Sequence, residues 1–184
     1  NFNYVFTNKP YTISLRLLLK HGGMSAIIFA CPDKGPEHDK WRAWNMKIVI
    51  VGAGRVGYAI AEQLLTEGHD ITVVESDPER AAYISSTLDV IVVEGRANVD
   101  QLRIANVADA DLLIAATTSD ETNLISCMVG RKLGATHTIA RVRDEEYYQD
   151  VALLQDELGL SLSINPERTS AKEISRTLRF PAAT

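Results

Sequence analysis

The stretch MKIVIVGAGRVGYAIAEQLL, residues 46–65, constrains this chain more than any other. A β-branched run at 47–51 breaks into Gly52, Gly54 and Gly57 and then continues with the apolar spacing of a helix. A G-x-G-x-x-G pattern directly after a strand and at the opening of a helix is the context in which the motif has physical meaning. The first glycine permits the tight turn, the second lets backbone approach a pyrophosphate, and the third lets the helix lie close on the sheet. The phosphate then rests on the positive end of the helix. Glu75 ends the second strand at about the 20-residue spacing expected of the acid that accepts ribose hydroxyls. Together these features predict a nucleotide carrying adenosine and phosphates.

The rest of the chain from Met46 alternates strand-like and helix-like segments with short connections, the pattern of a parallel sheet covered by helices on both faces. Strands are predicted at 47–51, 71–75, 90–93, 112–116, 138–142 and 161–164. Helices are predicted at 55–67, 78–87, 99–105, 120–133, 145–158 and 167–179. The first three strands are nearly continuous apolar runs, as expected of strands buried on both faces. The fold class is therefore α/β, a Rossmann-like, doubly wound sheet of six parallel strands.

Residues 1–45 differ in kind. They carry six Lys and Arg against three Asp and Glu, whereas the remainder holds 13 against 21. Pro10, Gly22, Gly23, Pro32 and Pro36 interrupt each short apolar run, and no period is sustained. The sequence begins at Asn1, while Met46 opens directly onto the first predicted strand. Residues 1–45 are read as a poorly ordered or non-native extension, and 46–184 as the nucleotide-binding domain. A net charge of −5 with a pI near 5.4 argues against a surface built to neutralise nucleic acid. Cys31 and Cys127 form no C-x-x-C pair, so neither a zinc site nor a disulfide framework is signalled and a reducing cytoplasm is expected. The longest apolar runs are strand-sized, short of the roughly 18 residues of a membrane span.

The acid at the ribose position also discriminates. Glu75, joined by Asp77, would repel a 2′-phosphate, which favours NAD(H) or another adenosine phosphate over NADP(H). Arg80 is read as a partner of Asp77 across one helical turn. Hydride transfer needs a proton donor or acceptor beside the substrate. His69 and His137 precede strands, at the end of the sheet away from the phosphate, and are read as surface or loop residues. Tyr147 and Tyr148 lack a Lys four residues later, Cys127 reads as core, and one helix follows the last strand. Sensing is thus preferred to catalysis. The alternative reading is the cofactor domain of a truncated NAD-dependent dehydrogenase.

The segments "MKIVIVGAGRVGYAIAEQLL", "DITVVESD", "ADADLLIAATTSDETNLISCMVGRKLGA", "TIARVRD" and "INPERTSAKEI" resemble the N-terminal nucleotide-binding domain of Trk potassium-uptake regulatory subunits, the RCK or KTN domain. The resemblance covers residues 46–184 and is most specific at "TSDETN" and "ARVRD". It implies a non-enzymatic regulator that binds NAD(H) or ATP/ADP. It further implies a homo-oligomer, a dimer or ring of dimers, assembled at the cytoplasmic face of the membrane on a potassium transporter or channel. Residue by residue, it implies that Gly52, Ala53, Gly54, Arg55, Val56 and Gly57 make the phosphate loop. Glu75 stands where the family has its ribose-binding acid, commonly Asp. Thr117 and Thr118 match the loop beside the nucleotide, and Arg141 a basic residue facing the phosphates or nicotinamide. Glu167 matches an acid that in some members helps hold a divalent cation between subunits; a first-turn acid of the last helix is the competing reading. One departure stands out: Gly95 is followed by Arg96, where the family often has Asp.

Overall fold

The computed structural model describes the backbone of residues 2–8, 11–20 and 23–32, and residues 45–165, 167–169, 171 and 175. Near the start, β1 (Phe2–Asn8), β2 (Tyr11–Lys20) and β3 (Gly23–Pro32) pair antiparallel, with Phe2 opposite Leu17 and Tyr11 opposite Pro32. The sequence reading expected no pairing here. Pro10 and Gly22 fall between strands, and Gly23 and Pro32 at strand ends, so these residues delimit strands rather than forbid them.

The second sheet is the expected one. β4 (Lys47–Val51), β5 (Asp70–Glu75), β6 (Ile91–Glu94), β7 (Leu112–Ala115), β8 (His137–Arg141) and β9 (Leu162–Ile164) are ordered β6-β5-β4-β7-β8-β9, all pairs parallel. The linking helices are α1 (Arg55–Thr66), α2 (Pro78–Thr87), α3 (Val99–Ile104), α4 (Asp120–Leu133) and α5 (Glu145–Leu153). Successive side chains of a strand point to opposite faces, and the two cores follow that alternation. Ile48 and Ile50 pack with Ile60, Leu64 and Ile84 of α1 and α2 on one face. Val49 and Val51 pack with Leu102, Val107 and Cys127 on the other, which α3 and α4 cover. Each fully buried Leu, Ile or Val contributes about 1.5–3 kcal/mol relative to exposure.

Element boundaries match the sequence reading closely, with one shortened helix. The helix predicted at 145–158 ends at Leu153, beyond which the chain turns through Gly159 (φ +64°). The amide of Gln155 donates to the Ser161 carbonyl, so the turn delivers the chain to β9 with Leu160 buried. Of the helix predicted at 167–179, positions 167–169, 171 and 175 are helical and the others lie outside the described residues. Among the described residues no helix is long and apolar enough to cross a membrane.

Candidate functional site

A cleft of about 350 Å³ opens at the carboxyl ends of the central strands. It lies where the strand order reverses, with β5 on one side of β4 and β7 on the other, which is where open α/β sheets bind ligands. Gly52, Gly54, Glu75, Arg80, Thr117 and Thr118 are among its lining residues. Gly52 turns the chain at φ +94°, its N–H donating to the Val74 carbonyl at 2.8 Å. A Cβ on Gly57 would meet the Gly52 carbonyl oxygen at 1.8 Å, so only glycine lets α1 start this close to the turn. Asp77, Asn98, Ser119 and Asp144 cap α2, α3, α4 and α5 with side-chain oxygens. α1 is capped by Gly54, with no side-chain hydrogen bond to its first turn. Its leading N–H groups thus have no side-chain acceptor, and beside the cleft that Gly54 lines the helix dipole favours an anion.

Glu75 is buried, 4% exposed, in the wall of the cleft. One oxygen accepts the Ala53 N–H at 2.6 Å, and the other accepts the Asp77 N–H at 2.9 Å. The acid thus ties the glycine turn to the end of β5. Asp77 accepts the Glu79 and Arg80 N–H groups and pairs with the Arg80 Nε at 3.0 Å. Arg80, through its backbone N–H and its guanidinium, holds the Asp77 carboxyl below the ordinary aspartate range. Arg80 also lines the cleft, its Nη1 being the nearest atom to the open space above Gly54.

On the β7 side, Asn123 of α4 organises the loop that carries Thr117 and Thr118. Its side-chain oxygen accepts the Thr117 N–H at 2.8 Å and the Thr117 hydroxyl at 2.7 Å, and its amide donates to the Arg141 carbonyl at 2.9 Å. Asp120 accepts the Arg143 and Asp144 N–H groups, both at 2.8 Å. Arg141 is 7% exposed, donates to the Thr117 carbonyl at 3.1 Å and pairs with Glu167. Arg143 donates to the Thr118 carbonyl.

The structure therefore gathers Gly52, Gly54, Glu75, Thr117 and Thr118 at one cleft, with Ala53 and Gly57 buried in the turn beneath it. Arg55 opens α1 in an exposed position away from the lining, and Val56 packs partly into the core. Arg141 touches the site through Thr117, and the Glu167 carboxylate is engaged by Arg141. Among the described residues no group of three or more His, Cys, Asp or Glu side chains gathers to hold a metal. Sequence reasoning missed Asn123, Asp120, Ser119 and Asn98; the cap signals of the last two were visible, whereas the reach of Asn123 across two strands was not. Of the two residues read as surface or loop, His69 lies in the loop before β5 and His137 opens β8, and both are buried rather than exposed. Cys127 is fully buried, and burial pushes its thiol far up.

Comparison with known proteins agrees with this geometry. The sequence profile of the TrkA-N domain matches residues 48–166. The Trk system potassium uptake protein TrkA of Haemophilus influenzae is 39% identical over 142 residues, covering 75% of this chain and 31% of that protein. The chain thus spans about a third of that relative's length. The TrkA-N domain of inner membrane protein ybaL from Escherichia coli shares the fold, with a TM-score of 0.64 and 24% identity over 73% of this chain and 98% of that one. The GsuK channel bound to NAD superposes with a TM-score of 0.56 at 24% identity, over 66% of this chain and 21% of that one. GsuK bound to ADP gives 0.59 at 24%, over 74% and 35%. With a profile that spans both halves of the sheet, from β4 to the residues after β9, the chain belongs to the TrkA-N domain family.

Proposed function

We propose that residues 46–184 act as a nucleotide-sensing regulatory domain of a potassium uptake system, with residues 1–45 an upstream extension. The ligand is an adenine nucleotide of the NAD(H) or ATP/ADP kind, and the domain regulates rather than catalyses. It works as a homo-oligomer at the cytoplasmic face of the membrane, docked on a potassium transporter or channel. The observation that carries this reading is the first turn of α1, without a side-chain cap, beside a cleft lined by Gly52, Gly54, Thr117 and Thr118. The names of the TrkA relatives and the NAD- and ADP-bound states of GsuK support it from outside the chain.

Gly54 offers a clean test. Its backbone (φ −66°, ψ −179°) suits any residue, and the nearest atom to an added Cβ is 4.0 Å away. Gly54→Asp would leave the fold intact and supply the side-chain cap that α1 lacks, while placing a carboxylate where phosphate must sit. Calorimetric titration with NADH, ATP and ADP is expected to show binding by the unaltered chain and none by Gly54→Asp, with equal or higher thermal stability in the variant. Undiminished binding by the folded variant would overturn the proposal.

A further inference from the structure

Glu75 keeps acceptor capacity after its two backbone bonds. One oxygen accepts the Ala53 N–H and the other the Asp77 N–H, whereas an ionised carboxylate offers about four lone-pair sites. The remaining sites can take ribose hydroxyls at the wall of the cleft. The same charge turns away any phosphate beyond the pyrophosphate at that end. Whatever borders the acid on its outer side is therefore matched to a neutral group.

That border is the loop after β6. Glu94 stands beside Glu75 in the parallel register, and the Gly95 N–H donates to the Glu75 carbonyl at 2.7 Å. Neighbouring strands lie about 4.8 Å apart, so the loop stands one strand-width beyond the ribose position, on the side where the base of a nucleotide extends. Val74, Gly95 and Ala97 line the cleft here with small or apolar surface, and Ala97 packs partly on the core. The loop itself is firmly held. The Asn98 N–H donates to the Arg96 carbonyl at 2.7 Å, and the Asn98 side chain caps α3 by accepting the Asp100 and Gln101 N–H groups, both at 3.0 Å. Gln101 packs so close to Gly95 that an added Cβ would meet its Cγ at 2.9 Å. Arg96 rises from this loop, exposed and lining the cleft. Arg80, the other arginine of the lining, is engaged elsewhere: its Nε pairs with Asp77 and its Nη1 lies over Gly54, on the phosphate side.

We propose that Arg96 grips the base of the nucleotide: its guanidinium lies flat on the adenine ring and closes it against Val74 and Ala97. The inference rests on the nucleotide-binding reading above and names the residue that selects for the base. A guanidinium is planar, weakly hydrated and stacks on aromatic faces, and the attraction needs no charge on the ring. Glu75 then holds the ribose and Arg96 the base, from neighbouring strand ends, while the start of α1 and Arg80 face the phosphates.

The test is titration of the full 184-residue chain with NADH and ADP by calorimetry, and with adenosine, which carries no phosphate, by NMR. Arg96→Gln sits on an exposed loop and should preserve the circular dichroism. It is expected to weaken all three ligands by a similar factor, about 3- to 30-fold, at low and high salt alike. Arg96→Tyr supplies an aromatic plane without the charge, and is expected to bring adenosine and NADH back to within about threefold of the unaltered chain. A loss confined to NADH and ADP that fades as salt is raised would make Arg96 a phosphate contact and overturn the stacking role. Unchanged binding by Arg96→Gln, or no recovery in Arg96→Tyr, would overturn it as well, and in each of these cases nucleotide binding stands. Failure of the unaltered chain to bind any of the three ligands would overturn the nucleotide-binding reading and the stacking role with it.

Discussion

Glu75 shows how one side chain can serve fold and site together. Replacing it with Ala leaves the Ala53 and Asp77 N–H groups without their acceptor, in a corner where the carboxylate is buried. Glu75→Ala is therefore expected to lower stability by about 1–3 kcal/mol in urea unfolding and to weaken every nucleotide that uses the turn. A variant with unchanged stability that binds NADPH more tightly would return the acid to a purely ribose-facing role. His137 gives a pH signature of its own. Burial lowers its pKa and the nearby Arg131 lowers it further, while Asp111 works in the opposite direction. The folded state thus holds the neutral ring, and the unfolded chain takes up the proton first as pH falls through the ordinary value near 6.5. Stability contributed at this position is present at higher pH and declines below that value. Urea midpoints followed from about pH 8 to pH 5.5 should fall, and His137→Gln should flatten that part of the profile.

The start of α1 and the clamp from α4 decide the shape of the cleft. Gly57→Ala would push a methyl group into the Gly52 carbonyl, a contact no flexible side chain can relieve because both partners are backbone. It is expected to destabilise by about 3 kcal/mol or more and to disable the turn, readable as a lower thermal midpoint with lost nucleotide binding. Asn123→Ala removes the acceptor of the Thr117 N–H and hydroxyl and the donor to the Arg141 carbonyl. A loss of about 2–4 kcal/mol is expected, with Thr117 released from the cleft. Gly57 was legible in the sequence because its spacing from Gly52 belongs to the motif. Asn123 was not, because a residue inside a helical pattern gives no sign that its amide bridges to another strand.

At the scale of the molecule, exposed apolar side chains on α4 and at the end of α5, namely Ile125, Met128, Leu153 and Leu154, support the proposed self-association. Sedimentation at roughly tens of micromolar is expected to show at least a dimer, a range in which interfaces of modest area associate; a clean monomer would remove the ring-forming proposal. The doubly wound parallel sheet follows from the sequence almost unaided. Alternating apolar runs and helices with short links admit few topologies once crossovers must be right-handed, and the glycines after β4 mark the one turn that needs them. The pairing of residues 2–32 was not legible, since strand partners are a non-local choice that Gly and Pro punctuation only brackets. Charge direction was also beyond the sequence. The sequence places Glu75 and Asp77 where acids repel a 2′-phosphate, but only the folded backbone supplies the N–H groups that fix both carboxylates, from Ala53 and Asp77 to Glu75 and from Glu79 and Arg80 to Asp77. The sequence by itself determined the glycine turn and the acid that ends β5, because local propensity and period act along the chain. Tertiary structure alone decided that two arginines border it, because hydrogen bonds and ion pairs are settled by what folding brings near.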